Sequence, residues 1–309
     1  MELRHLKYFV AVAETKSLSN AIKRLHIAQP ALSHSIKNLE EELDTALFIR
    51  SRKGMELTGT GESFLISAKS ILNEVARAKE SIKEAEQNPS GSVSIIIVPS
   101  VSSVLSVPLF REVKKHYPNI VLRIDESTTL DIRQSFDTGA LDLLVYFTAD
   151  GVENIEIEPL LREELYLASQ YNQDHQLPKE IEFSQLSGFP LMFPQVSQHV
   201  DRTIADTAKK LGVRVDVHPS TVAISTLIKL VRAGVTCGVV PWSLIYESVN
   251  NGELNAAKIV NPSVQRTINL ISPTNRHRSN ATIVVMNLIR QITRQLHAKR
   301  VWRGQLLVD

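Results

Sequence analysis

Between residues 17 and 43 the apolar positions step at helical spacing twice, with a break between the two runs. Leu18, Ala21, Ile22 and Leu25 form one stripe, and Leu32, Ile36, Leu39 and Leu43 form another. Each stripe predicts a short helix with one buried face. The break at Ile27-Ala28-Gln29 is followed by Pro30, whose missing N–H suits the first turn of a helix. Two helices around a tight turn are therefore expected. The face opposite the second stripe carries Pro30, Ser33, His34 and Lys37, so small hydrogen-bonding groups and one cation occupy its first turns. Such a helix fits a DNA major groove with its N-terminal end against base edges. A hairpin that only packs shows the same two stripes, and this stretch alone leaves both readings open. Glu40, Glu41, Glu42 and Asp44 crowd the far end, where carboxylates oppose both phosphates and the negative end of the helix dipole. Any DNA contact then falls on the first two turns.

Downstream the pattern changes three times. Phe48 to Gly54 places Arg50, Arg52 and Lys53 around a turn, and Met55-Glu56-Leu57-Thr58 resumes an extended alternation. This reads as a two-stranded wing whose cations reach phosphates, or as a solvated basic turn. From residue 61 to 87, Phe64, Ala68, Ile71, Val75, Ala78, Ile82 and Ala85 step by four and three alternately. That is a coiled-coil seam, so a pairing helix is expected. Gln87-Asn88-Pro89-Ser90-Gly91 ends it and marks a hinge.

From Ser92 on, short β-branched runs alternate with helical stretches. The expected strands are 93–98, 120–124, 141–147, 164–168, 191–193, 213–217, 237–240 and 267–271. The expected helices are 103–116, 130–138, 200–211, 223–233 and 278–297. Alternation of this kind predicts α/β sheets with parallel strands, and roughly 220 residues suffice for two small lobes. The crossovers between lobes are placed near 160–162 and 264–267. Ligands in such sheets collect at the carboxyl ends of strands, beside helix N-termini. Pro99-Ser100-Val101-Ser102-Ser103 and Glu126-Ser127-Thr128-Thr129 are hydroxyl-rich loops at two such ends. They suit an anionic ligand, or simply cap helices.

Charge and candidate chemistry narrow the function. Residues 1–54 hold nine Lys/Arg against six Asp/Glu, a local +3, while the whole chain carries +2. Indiscriminate coating of nucleic acid is excluded, and local placement of charge must supply any attraction to phosphate. Gly59-Thr60-Gly61-Glu62-Ser63 lacks the lysine and the preceding strand of a phosphate loop. The histidines show no paired metal-ligand spacing and there is no Gly-x-Ser-x-Gly, so neither enzyme, metal nor cofactor is expected. The single cysteine, Cys237, reads as a core side chain. With no signal-like start and no apolar run of membrane-spanning length, the chain fits the reducing cytoplasm. The tail from Arg290 to Arg303 is basic, and Trp302 with Leu306-Leu307-Val308 could dock on another subunit or stay free.

Taken together, these residues resemble the LysR-type transcriptional regulators. Met1-Glu2-Leu3-Arg4-His5-Leu6-Lys7-Tyr8-Phe9 is similar to that family's first helix. Its signature is matched by Ala21, Leu25, Gln29-Pro30-Ala31-Leu32-Ser33, Ile36, Leu39-Glu40, Leu43, Leu47-Phe48, Arg50, Leu57-Thr58 and Gly61. The match is dense over residues 1–65 and looser to about residue 295. His34 departs from the usual Arg or Gln, and Gly59-Thr60 from Glu-Ala.

The resemblance implies an α/β protein with an N-terminal winged helix-turn-helix (1–60) and a linker and dimerisation helix (61–88). A two-lobed, periplasmic-binding-protein-like effector domain (89–309) follows, with lobe I at 91–161 and 267–299 and lobe II at 162–266. It implies a homodimer or homotetramer on a two-fold-related double-stranded DNA site, a small-molecule effector, and RNA polymerase as a further partner. On the DNA side it points to Ser17, Ser19, Asn20, Gln29, Pro30, Ser33, His34, Lys37, Arg50, Arg52 and Lys53. On the effector side it points to Ser100, Ser102, Thr128, Pro194, His199 and Arg202. Phe193-Pro194 with His199 and Arg202 is also similar to the branch holding the nitrogen assimilation control proteins. The rival readings are a two-lobed small-molecule-binding protein and a protein-interaction scaffold, neither of which binds DNA.

Overall fold

In a computed structural model of the chain, residues 1–51, 54–83, 89–126, 132–149, 151–173, 176–193, 198–215 and 222–308 are described. The two N-terminal stripes become α2 (Leu18–Leu25) and α3 (Gln29–Glu42), preceded by α1 (Leu3–Thr15). Leu6, Phe9 and Val12 of α1 meet Ala21 of α2 and Leu32, Ile36 and Leu39 of α3 in one buried core. Full burial of a side chain such as Phe9 contributes about 2–3 kcal/mol. Helix α2 ends at His26, which adopts the left-handed conformation with φ 53°. The chain turns there, and Pro30 lies in the first turn of α3.

The wing is β1 (Phe48–Ser51) and β2 (Gly54–Leu57), antiparallel with Ser51 opposite Gly54. Its base is fixed from α3: Glu40 Oε1 accepts from the backbone N–H of Leu47 at 2.8 Å and of Phe48 at 3.0 Å. Thr58 then opens α4 (Gly59–Lys83), its Oγ1 accepting from Gly61 N at 2.9 Å. Glycine is required at 61, because a Cβ would lie 2.1 Å from the Leu47 carbonyl oxygen.

The heptad seam on α4 divides in two. Phe64 packs edge-on to Phe9 at 5.0 Å, and Ala68 is fully buried against the same core. Farther along, Ile71 and Ala78 are exposed and Val75 is half-buried. Ala85, and the side chain of Ile82, lie outside the described residues. Asn73 Nδ2 also donates to the Thr138 carbonyl at 2.7 Å, joining α4 to the body behind it.

That body begins with β3 (Gly91–Ile97), α5 (Pro99–His116), β4 (Ile120–Glu126), α6 (Ile132–Asp137) and β5 (Leu143–Tyr146). The long strand β6 (Ile155–Gln170) follows, then β7 (Glu180–Glu182) and β8 (Leu191–Met192). After them come α7 (Gln198–Leu211), α8 (Ile224–Arg232), β9 (Cys237–Pro241), α9 (Trp242–Asn250) and β10 (Leu254–Val260). The chain closes with β11 (Gln265–Pro273), α10 (Asn280–Ala298) and β12 (Gln305–Leu306).

Strand β3 pairs in parallel with β4 and β5. The pairs β6–β11, β6–β10 and β6–β9 are antiparallel, so the sheet is mixed and not wholly parallel as the alternation suggested. One core gathers β3, β5, α5 and α10, with Leu160, Leu161 and Ile268. Two further clusters fill the other lobe around Phe183, Leu191 and Val239, and around Trp242, Leu227 and Ile245. Strands β6 and β11 pass from one lobe to the other. Three sequence expectations fail here. Residues 213–215 form no strand, β6 is three times the expected run, and α9, β7, β10 and β12 were not anticipated.

The tail is settled as well. Trp302 is fully buried and β12 pairs with β6 of the same chain, so residues 302–308 dock at home and not on another subunit. At the other end, Glu40→Ala should lower stability by about 2 kcal/mol in urea unfolding, because two N–H groups lose a charged acceptor. Glu41→Ala, which breaks only the exposed contact with Lys37, should stay within about 0.5 kcal/mol.

Candidate nucleic-acid interface and interlobe site

On α3, the positions opposite the buried stripe are open to solvent: Gln29, Pro30, His34 and Lys37 are exposed and Ser33 is half-buried. Ser33, His34 and Lys37 line a shallow pocket of about 300 Å³, closed by Leu18, Ile36, Glu40 and the wing residues Phe48 and Met55. Asn38 Nδ2 lies 3.3 Å from His34 Nε2. With Nε2 accepting, Nδ1 holds the ring proton and can donate to a base edge or a phosphate. Lys37 Nζ lies 3.3 Å from Glu41, an exposed pair that a phosphate can displace at little cost.

The helix before it is fixed at its start. Ser17 is the N-cap of α2 and accepts from Asn20 N at 3.4 Å, while Ser19 and Asn20 are exposed beside it. Arg50 lies in β1, with its side chain outside the described residues, as are Arg52 and Lys53 altogether. The acids that the sequence placed at the end of α3 are engaged locally: Glu40 with the wing backbone, Glu41 with Lys37, and Glu42 with the N-terminal ammonium. Only the partnership with the wing carried no sequence signal, because it depends on the turn that folds residues 43–47 back.

One carboxylate at the exposed edge ties the assembly together. Glu14 on α1 pairs with Arg24 of α2 at 2.7 Å and with Lys69 of α4 at 2.9 Å. Burial pushes this carboxyl up, but Lys69 and Arg24 outweigh it and hold its pKa below the ordinary value.

In the two-lobed body, the candidate ligand residues are spread among different surroundings. Ser100 and Ser102 lie in the first turn of α5 and are both buried. The Ser100 hydroxyl accepts from Arg266 Nη2 at 2.6 Å, and Ser102 Oγ lies 2.7 Å from Ser106 Oγ. Arg202 is exposed on α7. His199 falls in the first turn of α7, with its side chain outside the described residues, and Thr128 and Pro194 lie outside them altogether. Cys237 is buried, and burial raises its thiol pKa, which disfavours the reactive thiolate. Among the described residues no cluster of three potential metal ligands occurs.

The buried chemistry of this body was missed from sequence. Arg266 Nε donates to Glu163 Oε2 at 2.7 Å. Glu163 Oε1 also accepts from Trp302 Nε1 at 2.6 Å and from Ser243 Oγ at 3.1 Å. Arg266 further lies 5.8 Å from the centre of the Phe147 ring. A usable signal existed: Glu163 alternates in phase with Leu161 and Leu165, and Arg266 with Val264 and Ile268, all on inward positions. Removing one partner of such a pair costs about 3–5 kcal/mol.

A polar-faced helix set beside a wing, carried on a long helix ahead of two α/β lobes, defines a DNA-binding regulator with a ligand-responsive body. The bacterial regulatory helix-turn-helix model of the lysR family matches residues 3–62, and the LysR substrate binding domain matches residues 86–294. The chain belongs to the LysR family: it is a DNA-binding transcriptional regulator with an effector-binding domain, not an enzyme.

Among its relatives is the nitrogen assimilation regulatory protein nac of Escherichia coli K12, 28% identical over 98% of this chain and 99% of that one. The regulator BudR of Raoultella terrigena is 31% identical over 79% of this chain and 86% of its own length. Full-length CbnR, solved in complex with its target DNA, has a TM-score of 0.71 at 23% identity, covering 96% of this chain and 99% of that one. A full-length OxyR variant from Pseudomonas aeruginosa gives a TM-score of 0.73 at 21% identity, over 94% and 98%.

The low-lying Glu14 carboxyl gives a pH dependence with a definite sign. Its contribution to stability is complete above the ordinary carboxylate range and falls away as pH drops through its depressed value. Glu14→Gln should therefore flatten the acid limb of a stability-against-pH curve followed by helical circular dichroism.

Proposed function

We propose that this regulator reads a two-fold-related duplex site as a homodimer or homotetramer in the cytoplasm. Gln29, Pro30, Ser33, His34 and Lys37 form the recognition surface, with the Lys37 ammonium on a phosphate. Arg50, Arg52 and Lys53 of the wing hold phosphates, and Ser19 and Asn20, beside the N-cap Ser17, hold another at the start of α2. The run of Ile71, half-buried Val75 and Ala78 on α4 supports pairing of linker helices between subunits, because Phe64 and Ala68 already pack against the core of their own chain. The chain divides at 1–60, 61–88 and 89–309 in this reading. A small anionic effector binds between the lobes, near Ser100, Ser102, Thr128, Pro194, His199 and Arg202. The nac relatives favour a role related to nitrogen assimilation, with RNA polymerase as the protein partner.

The observation that carries the reading is the polar, open face of α3 set directly against the wing. Duplex affinity should fall steeply with salt, and Lys37→Ala should reduce the slope of log affinity against log salt by about 1. Affinity that is flat in salt, or absent for every duplex, would overturn it. A thermal-shift screen of small carboxylates on the full chain tests the effector, with a rise in melting temperature expected.

A further inference from the structure

Glu163 and Arg266 stand directly opposite one another in the β6–β11 register, at the point where both strands leave one core for the other. Three separate segments converge on this pair. Arg266 reaches Ser100 in the first turn of α5, which belongs to the first core. Ser243, in the first turn of α9, donates to Glu163 from the other lobe. Trp302 donates to the same carboxylate oxygen from the tail. One buried carboxylate thus receives a hydrogen bond from each side of the lobe boundary.

The tail continues across that boundary. It leaves α10, and Trp302 is sunk fully into the first core. The next residue, Arg303, lays its guanidinium 3.4 Å from the centre of the Trp242 ring at the start of α9. Gln305 and Leu306 then pair with Arg162 and Leu161 of β6, and Leu307 N donates to the Leu160 carbonyl at 3.0 Å. Gly304 sits with φ 151° because any Cβ there would meet the Arg162 carbonyl at 2.2 Å. The segment is fitted to the crossing strands by backbone pairing on one side of Glu163 and by a ring stack on the other.

The two ends of this fit are unequal. The carboxylate satisfies the Trp302 and Ser243 donors. Among the described residues, Trp242 Nε1 and Arg303 Nε are buried without an acceptor. The contact with α9 is therefore the weaker end and yields first.

We propose that Glu163 is the positioning residue that sets the angle between the two lobes, with residues 299–308 as its clasp. Release of Arg303 from Trp242 loosens α9, which Ser243 still ties to Glu163 and to Ser103 of α5, and gives its lobe more freedom to turn about β6 and β11. Because Arg266 connects the same carboxylate to the first turn of α5, a ligand that alters Ser100 alters the clasp. This last link rests on the proposed effector site. The clasp itself does not.

Hydrogen exchange on the full-length protein without DNA or ligand separates a clasp from a tail that merely covers its own lobe. In Trp302→Phe and Glu163→Gln, exchange should quicken about tenfold at residues 100–105 and at 243–248, as well as in the tail. Arg303→Ala should quicken 243–248 and leave 100–105 at the parental rate. Both tryptophans of the chain lie at this joint, so in Arg303→Ala the emission should change as the Trp242 ring is uncovered. Acceleration confined to 299–308 and 160–163 in Trp302→Phe overturns the proposal, even if Glu163→Gln proves too unstable to purify. Salt-dependent duplex binding by the same variants reports on the DNA reading independently.

Discussion

Two neighbouring strands carry the chain between the halves of the body: β6 and β11 belong to both lobes. Their pairing extends from Gln265 opposite Glu164 to Pro273 opposite Ile155, with a bulge between Ile268 and Asn269. The side-chain period of a strand is two, so a slip of β6 by one residue would turn Glu163 outward and bring Arg162 in, leaving Arg266 without its partner. A buried ion pair adds little net stability compared with apolar residues of equal volume. Its value here is register: only one alignment places the carboxylate within reach of Arg266, Ser243 and Trp302 together.

The N-terminal unit solves a related problem with smaller means. A wing of two four-residue strands cannot hold its own orientation. Glu40 anchors it from α3, and Thr58 passes the chain directly into α4. The acidic end of α3 is therefore part of the scaffold that aims the wing. Glu14 extends the same scaffold to α2 and α4 through a single exposed-edge carboxylate.

How much of this the sequence disclosed follows from the range of the interactions. Helical stripes are local, so α2 and α3 were legible from residues three and four apart, as were the break before Pro30 and the heptads of α4, whereas α1 was expected only from the family resemblance. The parallel strands β3, β4 and β5 were legible for the same reason, since each is a short apolar run bounded by loops. Strand β6 was seen only in its apolar second half, because Glu156, Glu158, Arg162 and Glu163 break the hydrophobic run while leaving the backbone extended. Helix α9 was hidden because Trp242-Ser243-Leu244-Ile245 reads equally well as the continuation of β9. On the DNA side, exposure of the α3 face follows directly from its stripe. The Glu163 joint unites residues separated by 80 to 166 positions, and no spacing rule reaches that far. Its one trace is a pair of opposite charges on inward strand positions.

The contact at Gly61 bears on how the molecule moves. Helix α4 is seated so closely on the Leu47 carbonyl that not even a methyl group fits between them, while Phe64, Ala68 and Lys69 fasten its first turns to α1. The winged head and this helix of 25 residues consequently form one stiff arm, about 37 Å long at 1.5 Å per residue. A tilt of about 5° at the far end of such an arm carries α3 sideways by about 3 Å. Small angular adjustments at that end are thereby amplified into displacements of the whole winged head.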